Sequence, residues 1–248
     1  MKNTTRLATT ALLLACALPA LAQSTDADWS GLYFGGHLGG AEPTGNSGGS
    51  IAFDNNLDGT FGDTVNTSAG ANAFSPGFCG GAAVGRTPAS GCRDDAGGGD
   101  LGVRAGYDRQ SGRWVFGALV EMAGTDARDS VTAFSTTPAF YTMTRDLQST
   151  VAIRGRVGYA FGAGGDWLAY ATAGGVRARI ENSFTTSNGL NAFDQRGDSD
   201  ASGYQAGLGL ERKVLGGLSM GVEYLYTRLD DDGARIDVTR GTAGVTNP

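Results

Sequence analysis

The chain has 248 residues and a single histidine. Ser-His-Asp chemistry would therefore have to be built around His37. This residue stands in the run WSGLYFGGHLGGA, residues 29–41. No serine or cysteine motif flanks it, so the expectation is a hydrogen-bonded structural side chain with no catalytic role. Cys79 and Cys92 frame the stretch CGGAAVGRTPASGC. In an oxidising compartment such a pair is expected to form a disulfide. Two cysteines and one distant histidine fall short of the tetrahedral ligand set of zinc. The stretch DNNLDGTFGD, 54–63, partly matches a calcium loop, with Asp54, Asn56, Asp58 and Gly59 at the right offsets. Its twelfth position is Val65, where a bidentate glutamate is needed, and Asn, Asp and Gly are also ordinary turn formers. The reading is no metal, no cofactor and no enzyme activity.

The remaining candidates are charges set at alternate positions: Arg104, Glu121, Arg154, Arg156, Arg177, Arg179, Glu181, Glu211 and Glu223. Each lies in a segment of period-two alternation, the signature of a strand with two unlike faces. These segments are LYFGGHLGG, DLGVRAGYDRQ, WVFGALVEM, LQSTVAIRGRVGYAF, WLAYATAGGVRARIE, GYQAGLGLE and LSMGVEYLYT. One face is apolar and the other is small and charged. In the fifth segment Leu168, Tyr170, Val176 and Ile180 are assigned to the apolar outer face, against Arg177, Arg179 and Glu181. A soluble sandwich and a membrane barrel both read this way, with opposite meanings for the apolar face.

Connection lengths separate them. Short turns at 111–113, 162–166 and 215–217 alternate with long connections at 42–97, 123–146 and 182–200. Short periplasmic turns and long external loops mark an antiparallel up-and-down transmembrane β-barrel. Trp29, Trp114 and Trp167 all start odd-numbered strands. They are expected to line the periplasmic rim as interface aromatics. A small barrel has an interior just wide enough for side chains, so the charged face is expected to form an ion-pair network in the lumen. If Gln110 pairs with Val115 across the first turn, Arg104 falls opposite Glu121. The glycines leave room for these groups; the chain has 42 of them. The alternative use of the same charges is a narrow pore.

The first 22 residues have the anatomy of a secretory signal: Lys2 and Arg6, a short apolar core, Pro19, and Ala20-Leu21-Ala22 at the cleavage position. Residues 1–22 are expected to be removed and 23–248 to form one barrel domain. A lipoprotein signal ending before Cys16 is the rival; the Ala-x-Ala site is better formed. The apolar core is too short for a retained anchor. The formal net charge is −6, and no basic cluster exists, so nucleic acid is not a partner.

At this point WSGLYFGGHLGGA, RGRVGYAF (154–161), YATAGG (170–175) and MGVEYLYTRLD resemble the outer-membrane immunogenic protein and opacity-type porin family of alphaproteobacteria. The resemblance covers 28–41 and most of 98–230. It implies an OmpA-like eight-stranded barrel in the outer membrane, with lipid and the barrel-assembly machinery as partners. It implies structural and surface-interaction roles, with external loops free to bind surface ligands or host factors. A small porin is the alternative. Family chains end in a last strand with a terminal aromatic residue. Here seven strands are clear and only the weak ARIDVTRG (234–241) follows Asp230, so the eighth strand is expected to be missing by truncation.

Overall fold

In a computed structural model of the chain, residues 3–13, 27–44, 49–196, 199–231 and 235–241 are described. The wall consists of β1 (Asn3–Leu13), β2 (Gly31–Thr44), β3 (Gly98–Ser111), β4 (Trp114–Thr125), β5 (Ala139–Phe161), β6 (Trp167–Thr186), β7 (Ser199–Leu215) and β8 (Leu218–Asp231). Each strand is antiparallel to the next, and β8 returns to β1, so the sheet closes on itself. Closure removes the free edges that lipid does not tolerate.

The seven strands read from the alternation are β2 to β8. The eighth place is filled by β1. It pairs with β8 from Asn3↔Asp231 to Leu13↔Gly221, and with β2 from Arg6↔Thr44 to Leu12↔Leu38. Eleven residues match the length a tilted strand needs to cross a bilayer. The segment is also rich in threonine, a β-branched residue suited to strands. The expectation of a missing eighth strand is corrected, because β1 stands in that place, and the weak stretch after Asp230 does not take it. Arg235–Thr239 pairs instead with Ala192–Arg196 in a separate external sheet, being too short to span. Cys16 and the Ala20–Ala22 cleavage site lie outside the described residues.

The turns at one end are tight. Gly216 and Gly217 both have positive φ, 49° and 92°, as a two-residue hairpin turn requires. At the other end the connections carry structure of their own. Arg128–Ser135 folds back on the extended start of β5, and Gly77–Gly80 adds a further strand to it. Phe74 stacks on Phe53 at 4.3 Å and meets Tyr141 at 5.2 Å, tying the 42–97 segment to β5. The Cys79–Cys92 disulfide closes the tip of that segment, with Cα atoms 6.4 Å apart.

The outer face of the wall is apolar. Leu32, Phe34, Leu101, Val103, Phe116, Val120, Ile153, Leu208 and Val222 are all exposed there. Six of the seven alternating segments face as the sequence implies. The fifth, now β6, is inverted. Leu168, Tyr170, Val176 and Ile180 are buried in the interior, while Arg177, Arg179 and Glu181 are exposed on the outside. The cause lies in the register. Tyr170 sits opposite Gly158 on β5 and Gly209 on β7. A Cβ at Gly209 would run into the Tyr170 ring, and one at Gly158 would touch Leu168. The neighbouring glycines thus open the interior to the bulky face of β6. Its lipid face is the small-residue row Ala169, Ala171 and Ala173.

Candidate functional site: the barrel lumen

The lumen is filled in three layers. Nearest the short turns is an apolar layer of Trp29, Val115, Ala160, Leu168 and Tyr170. Trp29 closes it. Its indole Nε1–H donates to the Gly165 carbonyl at 2.9 Å, and its backbone N–H donates to Gln110 Oε1 at 2.8 Å. The ammonium of Lys213 lies 4.9 Å from its ring centre. Trp29 is therefore a plug, not the lipid-facing rim residue expected from its position. Trp114 and Trp167 do stand at that rim on the outside. Trp114 meets Phe116 and Tyr159; Trp167 stacks on Phe161 at 6.2 Å and under the Arg212 guanidinium at 4.9 Å. Asp28, beside the plug, has its carboxyl lowered by hydrogen bonds from the backbone and side chain of Ser30.

The middle layer is ionic. Arg156 pairs with Asp108 and, at 2.9 Å, with Glu211. Its guanidinium is sandwiched between the rings of Tyr33 and Tyr170, at 5.0 and 4.8 Å. One step outward, Arg154 donates to Glu121 at 2.8 Å and to Gln205 at 2.9 Å. Arg104 donates to Glu223 at 3.0 Å and lies 3.4 Å from Glu121. Glu223 also accepts from the Tyr170 hydroxyl at 2.9 Å. Arg104 and Glu121 are direct cross-strand partners, and Gln110 pairs with Val115. The structure thus brings together Arg104, Glu121, Arg154, Arg156, Glu211 and Glu223. Arg177, Arg179 and Glu181 do not join them. Asp108, Tyr33, Tyr170, Gln205 and Asp100 complete the layer. Asp108 and Gln205 were visible on the polar face of their strands; Tyr170 was hidden by the inverted reading of β6.

His37 sits at the outer edge of this layer. Its Nε2 is 2.7 Å from Asp100 Oδ1, and its Nδ1 faces Glu121 Oε2 at 3.6 Å. The ring packs over Gly102, where a Cβ would collide with it. Its polar neighbours are carboxylates, which fix the orientation of the imidazole. Above it the third layer is again apolar: Leu147, Val176, Ile180 and Leu229, with small alanines between them. The cavity left beside His37 and Glu223 measures about 30 Å³, room for a water or two.

Buried charges are stable only when paired and hydrogen-bonded, and here guanidinium and carboxylate alternate across the lumen. Apolar layers above and below remove bulk water and strengthen the pairing. The acidic turn at 54–63 is spent on its own backbone. Asp54 accepts from the amides of Asp58 and Gly59, at 3.1 and 2.9 Å, and Asp63 from that of Asn55 at 2.9 Å. The Asp58 carboxyl is lowered by hydrogen bonds from the Thr60 amide and hydroxyl. Among the described residues no three His, Cys, Asp or Glu side chains gather as a metal set.

A closed antiparallel sheet with an apolar exterior, a charged packed interior, tight turns at one end and structured loops at the other is the architecture of an outer-membrane barrel. Residues 8–246 match the outer membrane protein beta-barrel domain, and the chain belongs to that family. A comparison with curated proteins and with solved structures gives no match. The location that follows is the outer membrane, with Cys79 and Cys92 as a disulfide in an external loop.

Proposed function

We propose that this chain is a structural wall protein of the outer membrane, of the immunogenic and opacity type, which presents its loops to surface partners and carries out no reaction. The observation that supports this most is the filling of the lumen. Arg154 and Asp108 are each 1% exposed, and both ends of the ionic layer are covered by apolar side chains. The partners it needs are outer-membrane lipid and, during insertion, the barrel-assembly machinery. The structured loops are the surface for ligands or host factors. A small porin for passive diffusion is the second reading, and it requires both apolar layers to open.

Export is proposed through residues 1–22 as a cleaved signal. Removal would take Asn3–Leu13 out of the wall and leave facing edges on β2 and β8, a place another strand must then take. The mass of the protein recovered from the outer membrane decides this: a start at Gln23 supports cleavage, and an intact Met1 opposes it. For the lumen, full-length protein in liposomes is tested for swelling in small sugars. No swelling is expected. Swelling at the rate of an open channel would replace the structural reading with the porin.

A further inference from the structure

The outward charges of β6 are costly in a lipid-facing wall unless they meet something other than hydrocarbon. Their position on the wall is defined. Trp167 marks the periplasmic rim. Ten residues on, at Arg177, a strand tilted about 40° has climbed about 25 Å, the height of the apolar band. Arg177 and Arg179 therefore stand on the outer face at the level of the outer headgroups. The neighbouring strands bring more of the same. Tyr204 on β7 is the register partner of both Gly175 on β6 and Arg228 on β8. Tyr204 and Tyr226 lie side by side, ring centres 6.3 Å apart. Gly175 has only the Gly203 carbonyl within 4.0 Å of where a Cβ would stand, so a shallow open spot lies between the arginines and the tyrosines.

The ion pairs in this patch are loose. Arg177 Nη2 is 3.9 Å from Asp200, with the two side chains 73% and 63% exposed; Arg228 Nε is 3.8 Å from Asp230. Such exposed pairs hold little and leave most guanidinium N–H groups unused. Glu181 stands one step further out than the arginines. Guanidinium groups suit phosphate oxygens in a bidentate fork, and tyrosines favour the boundary between apolar and wet.

We propose that Arg177, Arg179 and Arg228, with Tyr204 and Tyr226, form a binding patch for the terminal phosphomonoester headgroup of an outer-leaflet lipid. The lipid chains lie along Ala173, Ala206 and Tyr224 below it. This site is on the wall and is independent of whether the lumen conducts.

The test uses full-length protein in mixed micelles of neutral lipid with a minor fraction of phosphatidic acid, followed by native mass spectrometry of the retained lipid. A parallel arm replaces phosphatidic acid with phosphatidylserine, and another adds inorganic phosphate as competitor. Retention of phosphatidic acid above phosphatidylserine is expected, with no displacement by inorganic phosphate. The Arg177→Gln/Arg179→Gln/Arg228→Gln variant should lose about a hundredfold in retention, about fivefold per guanidinium. Its unchanged heat-dependent gel mobility shows that the barrel is still formed. A periplasmic-rim control, Arg109→Gln/Arg113→Gln, should retain lipid as before. Equal retention by the triple variant, equal loss in the rim control, equal retention of phosphatidylserine, or displacement by inorganic phosphate would each overturn the assignment.

Discussion

Replacing Arg154 with methionine tests the ionic layer most sharply. The Arg154 side chain is 0% exposed and lies 2.8 Å from Glu121 and 3.5 Å from Glu223. Its removal leaves two buried carboxylates to a single guanidinium, that of Arg104, at 3.4 and 3.0 Å. It also strips Gln205 Oε1 of its donor. Removing one partner from a buried pair costs about 3–5 kcal/mol, because a charge is stranded. With a urea slope of about 2 kcal/mol per molar, the unfolding midpoint should fall by about 2 M. Adding Glu121→Gln restores neutrality, since Arg104 and Glu223 then balance. The double variant should recover about 2 kcal/mol, a coupling of the size that contacting residues show. The assay is tryptophan fluorescence of lipid-reconstituted protein across a urea series. A single variant within about 1 kcal/mol of the parent, or two substitutions whose costs simply add, would refute the pairing argument.

Other consequences follow from individual contacts. Gly209→Val should abolish the heat-modifiable folded band, because its side chain would occupy the space of the Tyr170 ring, whereas Gly175→Val on the open outer face should fold. Cys79→Ser should lower the stability of the external loop by about 2–3 kcal/mol and speed its proteolysis, with the barrel band unchanged. Burial, with Asp129 and Asp94 nearby, pushes the Asp95 carboxyl up to about 6 from 3.8. A raised acid binds its proton more tightly when folded, so its loop is most secure below about pH 4 and loosens as pH rises through 6. Hydrogen exchange at the Ser130 amide, which donates to Asp95 at 2.7 Å, should increase over that range beyond the intrinsic rate. Asp95→Asn should flatten the change.

The wall was legible because alternation is a strictly local property. Leu32, Phe34 and Leu38 declare a lipid face within one strand, and Arg104 with Glu121 declares a lumen pair once the Gln110–Val115 turn is set. The failures came where facing depends on a neighbour. In β6 both faces are partly apolar, and only the glycines opposite Tyr170, Gly158 on β5 and Gly209 on β7, decide which turns inward. The same strand continues past the lipid, so charges at Arg177, Arg179 and Glu181 need no lumen to be stable. Trp29 was placed at the correct end and given the wrong neighbours, since its hydrogen bond to Gly165 spans a distance no strand pattern encodes. The filling of the eighth place by Asn3–Leu13 was hidden because the same threonines and leucines also fit an export signal. Leu147 of the outer apolar layer went unseen because a bulge in β5, facing Arg179 and Ile180 of β6, turns it inward.

The central claim is that the lumen is closed by two apolar layers over an ion-pair core. Single-channel recording of full-length protein in a planar bilayer tests it directly, beside Trp29→Ala, which removes the periplasmic plug. The parent should show no steady conductance, and the variant should show brief openings as water reaches Arg156. A parent that conducts steadily, with Trp29→Ala indistinguishable from it, would contradict the account.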